Sequence, residues 1–141
     1  MLTIRLKLRL KSLLGSGELN IIALVNSGYE TAKPELLLPA KVAEELGLYP
    51  KMPRGAEVKE YILADGSRTK LVKIPDAIEV AVITEDRIGP TTKCDVVIAE
   101  KAEGALISDK LADALNIAAI AIGEGLWCFR DELGSKIRKS A

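Results

Sequence analysis

The residues best placed to form a functional site are the short polar stretch Asn26-Ser27-Gly28, which directly follows an apolar run at residues 21–25. An asparagine amide can hold a water molecule or a carbonyl group through hydrogen bonds. It has no proton that titrates near neutral pH, so Asn26 cannot act as a general base. Asparagine before Ser-Gly is also an ordinary turn former, and Gly28 suits a backbone that takes a positive φ or approaches a neighbour closely. The three residues are therefore consistent with a plain turn or with a binding loop.

Other residue types that carry chemistry are scarce. The chain contains no histidine, which excludes Ser-His and Cys-His catalytic pairs and zinc sites of the histidine type. Cys94 and Cys128 lack Cys-x-x-Cys spacing, so we expect no metal site and no other cofactor. We interpret both cysteines as buried apolar residues, with a disulfide as the alternative. Asp65 precedes Gly66 in a dipeptide typical of hairpin turns, and turn geometry alone explains it.

Length and composition limit the class of protein. A chain of 141 residues, 48% of them hydrophobic, is expected to bury one core and form a single domain over residues 1–132. We expect the charged tail, residues 133–141, to fray. The 20 basic and 20 acidic residues cancel, which leaves no electrostatic footprint for nucleic acid. Because no apolar stretch is long enough for a membrane span and the first residues lack a secretory signal, we expect a cytoplasmic protein. The absence of glutamine and the abundance of Lys, Arg and Glu are typical of proteins from hot environments.

The elements that must position these residues begin with two strands. Residues 3–10 alternate apolar and polar side chains, which predicts a half-buried strand. Its polar face carries Arg5, Lys7 and Arg9, which could dock an acidic partner or form a solvated face that guards against edge pairing. Residues 19–25 form a nearly continuous apolar run and predict a buried strand that ends at Asn26.

The remaining elements are also short. Pro39 and Gly47 fit the start and the stop of a helix, and Ser108 fits the cap of a second helix that runs to Leu115. Pro75-Asp76 predicts a turn between strands. The predicted strands cover residues 34–38, 57–64, 67–74, 77–84, 94–99, 117–122 and 126–129, and the pair around Asp65-Gly66 forms a hairpin. This order predicts a mainly-β fold, a barrel or sandwich with one or two short helices.

Three segments together resemble the start of the retropepsin-like aspartic proteases. In that family a buried strand delivers an Asp-Thr/Ser-Gly loop, followed by a Leu-Pro segment and a helix that ends in Leu-Gly-Leu. The corresponding residues here are Asn26-Ser27-Gly28, Leu38-Pro39 and Leu46-Gly47-Leu48. The resemblance extends over nearly the whole chain and implies a closed acid-protease barrel. Two positions depart from the family pattern: Asn26 stands at the aspartate position, and Ser108 stands where a glycine follows the late strand.

The resemblance also implies a mode of action. Retropepsin-like chains carry half an active site, so a homodimer is expected in which two copies of the loop at residues 26–28 meet on a twofold axis. Active members use two aspartates that share one proton. With asparagine at that position we expect no useful protease activity. The implied substrate-binding residues are Tyr29, beside the loop, and Ala64-Asp65-Gly66, at the tip of a hairpin placed like the flap.

The leading hypothesis is therefore a catalytically inactive homodimer of the retropepsin-like fold that serves as a peptide-binding or assembly module. One alternative is an active aspartic endopeptidase, formed if Asn26 deamidates at high temperature or was introduced to silence an enzyme. Another is a monomeric β-domain in which Asn-Ser-Gly is coincidental.

Overall fold

The computed structural model describes residues 4–26, 28–62 and 65–141. The fold is mainly β, with 49% strand and 13% helix, as the sequence predicted. Two α-helices, α1 (Ala40–Glu45) and α2 (Asp109–Ala114), have six residues each, so neither could span a membrane. The strands are β1 (Arg5–Ser12), β2 (Glu18–Val25), β3 (Glu35–Pro39), β4 (Glu57–Ile62), β5 (Arg68–Val82), β6 (Thr92–Ala99), β7 (Ala105–Ile107), β8 (Ile117–Ala121), β9 (Leu126–Phe129) and β10 (Arg138–Lys139).

Six of these strands close into a barrel. They follow the order β1-β2-β7-β3-β6-β5, and the pairing of β5 with β1 completes the ring. Strand β4 pairs antiparallel with the first half of β5 and lies outside the ring, so the β4–β5 hairpin extends the sheet. Closure of the barrel leaves none of the six strands wholly at an edge.

Strand β1 shows how the sequence pattern fills the barrel. Leu6, Leu8 and Leu10 are fully buried, whereas Arg5 and Lys7 are exposed, which confirms the predicted period of two. The proposed role of the basic stripe as an edge guard is wrong, because β1 is paired on both sides, with β2 and with β5.

Strand β5 differs from the prediction at Pro75-Asp76. The sequence analysis placed a turn there, but β5 continues through it as one strand with a register shift against β6 between Ile74 and Ile78. Proline cannot donate to the sheet, and Asp76 takes a left-handed conformation with φ of 46°, which aspartate tolerates better than most residues. The two residues therefore form a β-bulge, and the Asp76 N–H donates to the Asp95 carboxylate at 2.9 Å.

Both helices begin and end where the sequence predicted. Pro39 precedes α1, and Gly47, with φ of 72°, ends it. Ser108 caps α2 by accepting a hydrogen bond from the Leu111 N–H.

The C-terminal residues pack against the barrel, so the expectation that residues 133–141 fray is wrong. Strand β10 pairs with β9, which pairs with β8 in a second, three-stranded sheet. Arg138 is only 8% exposed, and its guanidinium binds Asp86 and Glu132 and lies 5.3 Å from the Phe129 ring centroid. A buried arginine whose charge is fully paired holds the segment in place. Cys94 and Cys128 are both free and buried, as predicted.

Candidate functional site

Asn26 is hydrogen-bonded to the described residues on either side of its loop. The Asn26 N–H donates to the Ile107 carbonyl at 3.2 Å, and the Tyr29 N–H donates to the Asn26 carbonyl at 3.1 Å. The Asn26 side-chain oxygen accepts a hydrogen bond from the Gly28 N–H at 3.0 Å. The amide of Asn26 therefore stabilises its own loop, which is the usual function of asparagine in such turns. Ser27 lies outside the described residues.

The start of α2 fixes the chain that follows this loop. The Asp109 N–H donates to the Tyr29 carbonyl at 2.9 Å, and the Asp109 carboxylate accepts from the Thr31 N–H at 3.0 Å. Buried Ser108 accepts hydrogen bonds from the Glu35 N–H at 3.1 Å and the Leu111 N–H at 3.2 Å. The hydroxyl of Ser108 thus joins β3 to α2.

A buried charge cluster, formed by Glu35, Lys73 and Asp95, lies beside the loop and was not identified from the sequence. Glu35 and Asp95 are each only 1% exposed, and they are direct neighbours on the parallel strands β3 and β6. The Lys73 ammonium, from β5, lies 3.2 Å from the Glu35 carboxylate and 3.4 Å from the Asp95 carboxylate. One ammonium therefore bridges two buried carboxylates.

Two tyrosines complete the surroundings of Glu35. The Tyr29 hydroxyl donates to one oxygen of the Glu35 carboxylate, and the Tyr61 hydroxyl donates to the other at 3.3 Å. Burial, together with the adjacent Glu35 charge, raises the pKa of both tyrosines well above its usual value. Both hydroxyls therefore remain protonated and donating through the neutral pH range. Since Tyr61 belongs to β4, Glu35 joins the hairpin to the segment that contains Tyr29.

The cluster is fully paired. Lys33 lies 3.9 Å from Asp95, and no described residue has a buried side-chain polar atom without a hydrogen-bond partner. Burial alone lowers the pKa of Lys73, but the hydrogen bonds and charges of Glu35 and Asp95 outweigh it and raise that pKa. A lysine that stays protonated is not a nucleophile. The arrangement therefore fixes the relative positions of Glu35, Lys73 and Asp95 and does not supply Lys73 as a nucleophile.

The β4–β5 hairpin borders the same region. Its turn is held by the Asp65 carboxylate, which accepts from the Ser67 N–H at 2.8 Å and from the Ser67 hydroxyl. These hydrogen bonds lower the pKa of Asp65, and Gly66 takes a φ of 85°. Asp65 and Gly66 thus form the predicted turn. Ala64, the other residue predicted there, lies outside the described residues.

Strand β4 is open to solvent. In the part of the chain that the structure describes, no strand pairs with its outer edge. Five of its six residues are exposed, and the apolar Val58 and Ile62 are exposed by 66% and 72%. A free edge with exposed apolar side chains is a template for a further strand.

The sequence-predicted residues are brought together only in part. Tyr29 and Tyr61, the latter on β4, both donate hydrogen bonds to Glu35. Asp65, in contrast, accepts its hydrogen bonds within its own turn. The sequence contains a partial signal for the cluster: Lys73 and Asp95 each interrupt an apolar strand run, and Glu35 directly precedes one. Among the described residues, no three carboxylate or cysteine side chains converge as metal ligands would.

Comparison of the chain with protein-family models and with curated proteins finds no match.

Proposed function

We propose that this protein is a catalytically silent, retropepsin-like homodimer that binds an extended peptide between the β4–β5 hairpin and the Asn26 loop. The six-stranded closed barrel with two short helices is consistent with that fold. The resemblance in residues 26–28, 38–39 and 46–48 supports the assignment of the site.

The observation that carries this proposal is the hydrogen-bonded link Tyr29–Glu35–Tyr61. It joins the hairpin to the segment that directly follows the Asn26 loop. A ligand strand that pairs with the free edge of β4 would gain main-chain hydrogen bonds. Its alternate side chains would meet Val58 and Ile62 on one face of β4, and the others would lie on the face of Tyr61, which points towards Glu35. Because the link rests on a buried carboxylate, the hairpin is already positioned before the ligand arrives.

Asn26 explains why binding would not lead to cleavage. Its amide cannot accept a proton from water, and its oxygen already accepts the Gly28 N–H. An unfolded protein such as β-casein should therefore remain intact on incubation between pH 3 and pH 8. Cleavage that a hydroxyl-bearing peptide mimic of the transition state inhibits would instead support an active peptidase.

Peptide binding can be tested with unfolded β-casein in a ¹⁵N-labelled spectrum. We expect resonance shifts concentrated in β4 and in residues 28–31. The double substitution Val58→Thr with Ile62→Thr should weaken binding while it leaves the fold intact, because both side chains are exposed. The matched control is Ile88→Thr with Ile120→Thr, two apolar side chains that are 55% and 41% exposed elsewhere. Equal loss of binding in both double variants would contradict a site at β4.

The homodimer has its own test. Light scattering at micromolar concentration should return twice the chain mass of 15.2 kDa. A mass near 15.2 kDa would favour the monomeric β-domain, in which Asn26 is only a turn residue.

A further inference from the structure

A second candidate site lies at the start of β1, where Arg5 pairs with Leu24 near the end of β2. A cleft of about 570 Å³ opens over the start of β1, between residues 83–86 and the C-terminal segment 136–141. Its volume falls within the range of small-molecule sites. Backbone hydrogen bonds hold both walls of the cleft against β1. The Ala141 N–H donates to the Arg5 carbonyl at 2.9 Å, and the Ile83 N–H donates to the Lys7 carbonyl at 2.9 Å.

The walls of the cleft are held by paired charges. Arg138 binds the carboxylates of Asp86 and Glu132, each at 2.7 Å, and Lys136 binds Asp86 at 2.7 Å. These bonds keep the loop at residues 83–86 and the C-terminal segment in a fixed relation. The site is therefore preorganised, and binding of a ligand would not carry the entropic cost of ordering these segments.

The remaining charges of the cleft are mostly positive. Arg5, Lys7 and Lys139 are exposed and line it, and none of them has an ion-pair partner among the described residues. Asp86 is neutralised by its two cationic partners, so Glu85 is the single lining acidic side chain that carries an unpaired charge within the described residues. Among its described side chains the cleft thus has three cations and one anion without an ion-pair partner, although the side chains of the whole chain sum to a net charge of zero.

We propose that this cleft binds a phosphate-bearing small molecule of nucleotide size. Several cationic residues on the lining of one small cleft match a ligand with several negative charges. Arginine and lysine are well suited to phosphate because its oxygens accept several charge-assisted hydrogen bonds. An RNA or DNA strand is a poorer fit, since the positive charge is confined to one cleft of a neutral protein.

The indole N–H resonance of Trp127 can report ligand binding in this cleft. Trp127 is the single tryptophan; it lines the cleft, and its indole N–H donates to the Lys139 carbonyl at 3.3 Å. Titration with ATP or with tripolyphosphate should shift its indole resonance in a saturable way. Binding should weaken as the salt concentration rises. No shift at millimolar ATP and tripolyphosphate would overturn the proposal, and equal binding of citrate would overturn the assignment to phosphate.

Matched substitutions separate the cleft from general charge effects. Lys7→Gln with Lys139→Gln should weaken ATP binding at least about tenfold, since each removes a charge-assisted contact. Lys41→Gln with Lys101→Gln removes the same charge from exposed positions outside the cleft and should leave binding within about twofold. All four lysines are exposed, so unchanged melting temperatures are expected and would show that the variants fold. Equal weakening by both pairs would refute the site, whatever the outcome of the β-casein experiment.

Discussion

Substitution of Lys73 by methionine should destabilise the protein strongly, because it leaves Glu35 and Asp95 buried without their shared cation. Both carboxylates are 1% exposed, and the Lys73 ammonium lies 3.2 Å and 3.4 Å from them. Removal of one partner of a buried ion pair costs about 3–5 kcal/mol. The Lys73 side chain is 22% exposed, so we expect the lower end, about 3 kcal/mol.

This loss should depend on pH in a defined direction. At neutral pH the folded variant carries two buried negative charges that water solvates in the unfolded chain. Below the ordinary carboxyl pKa of about 4, the unfolded chain no longer carries these charges either, and the cost of burying them disappears. The difference between parent and variant should therefore be largest near pH 7 and small at pH 3.

Thermal unfolding followed by circular dichroism measures both effects. A loss of about 3 kcal/mol corresponds to roughly 6–12 °C in melting temperature for a chain of this size. Lys70→Met is the matched control, because Lys70 is exposed on the same strand and should change stability by less than about 0.5 kcal/mol. Equal losses for Lys73→Met at pH 7 and pH 3, or a loss no greater than that of the control, would refute the assigned role of the cluster.

Three further predictions follow from the charges and the loop. The pKa of Tyr29 and of Tyr61 is raised in the folded state. The contribution of both tyrosines to the free energy of unfolding is therefore present below about pH 10 and is lost as the pH rises further. Absorbance at 295 nm should show their ionisation only together with unfolding. The hydrogen bond from Arg138 lowers the pKa of Glu132 to about 2, so its contribution is present above the unfolded value of about 4.3 and disappears towards pH 2. Urea unfolding of Glu132→Gln should accordingly show a loss of about 1–2 kcal/mol at pH 7 that vanishes at pH 2, and a constant loss would contradict the assignment. If two copies of residue 26 meet, Asn26→Asp places two carboxylates together and raises the pKa of one of them. The melting temperature of the variant should then fall below that of the parent at pH 7 and recover near pH 4. Equal differences in melting temperature at the two pH values would show that the two residues do not meet.

Local sequence patterns correctly predicted the strands, turns and caps that are determined by residues close together in the sequence. The alternation in β1, the hairpin turn at Asp65-Gly66 and the Ser108 cap each depend on residues within a few positions. The mainly-β class followed from the number of such short elements. The resemblance to the retropepsin-like family also rests on local motifs, and both the site and the dimer stay predictions.

Features that depend on distant residues were missed. The charge cluster needs Glu35 and Asp95 to align across two parallel strands, with Lys73 supplied by a third. The tail was expected to fray because its residues are charged, but Arg138 finds its partners at Asp86 and Glu132. In both cases a charged residue becomes buried only because the fold supplies its partner, and a single sequence does not show which partner that is.

The measurement that tests the retropepsin-like assignment most directly is cross-linking through a cysteine at position 26. Asn26→Cys should form a disulfide between two copies on mild oxidation, because the account places the two loops against each other. Cys94 and Cys128 are buried and should not compete. Gly104→Cys is the control, since a side chain at that position would meet no atom within 4 Å. We predict that Asn26→Cys converts to a covalent dimer at micromolar concentration while Gly104→Cys stays largely monomeric. Equal and slow cross-linking of the two variants would contradict a site shared between two copies of the loop.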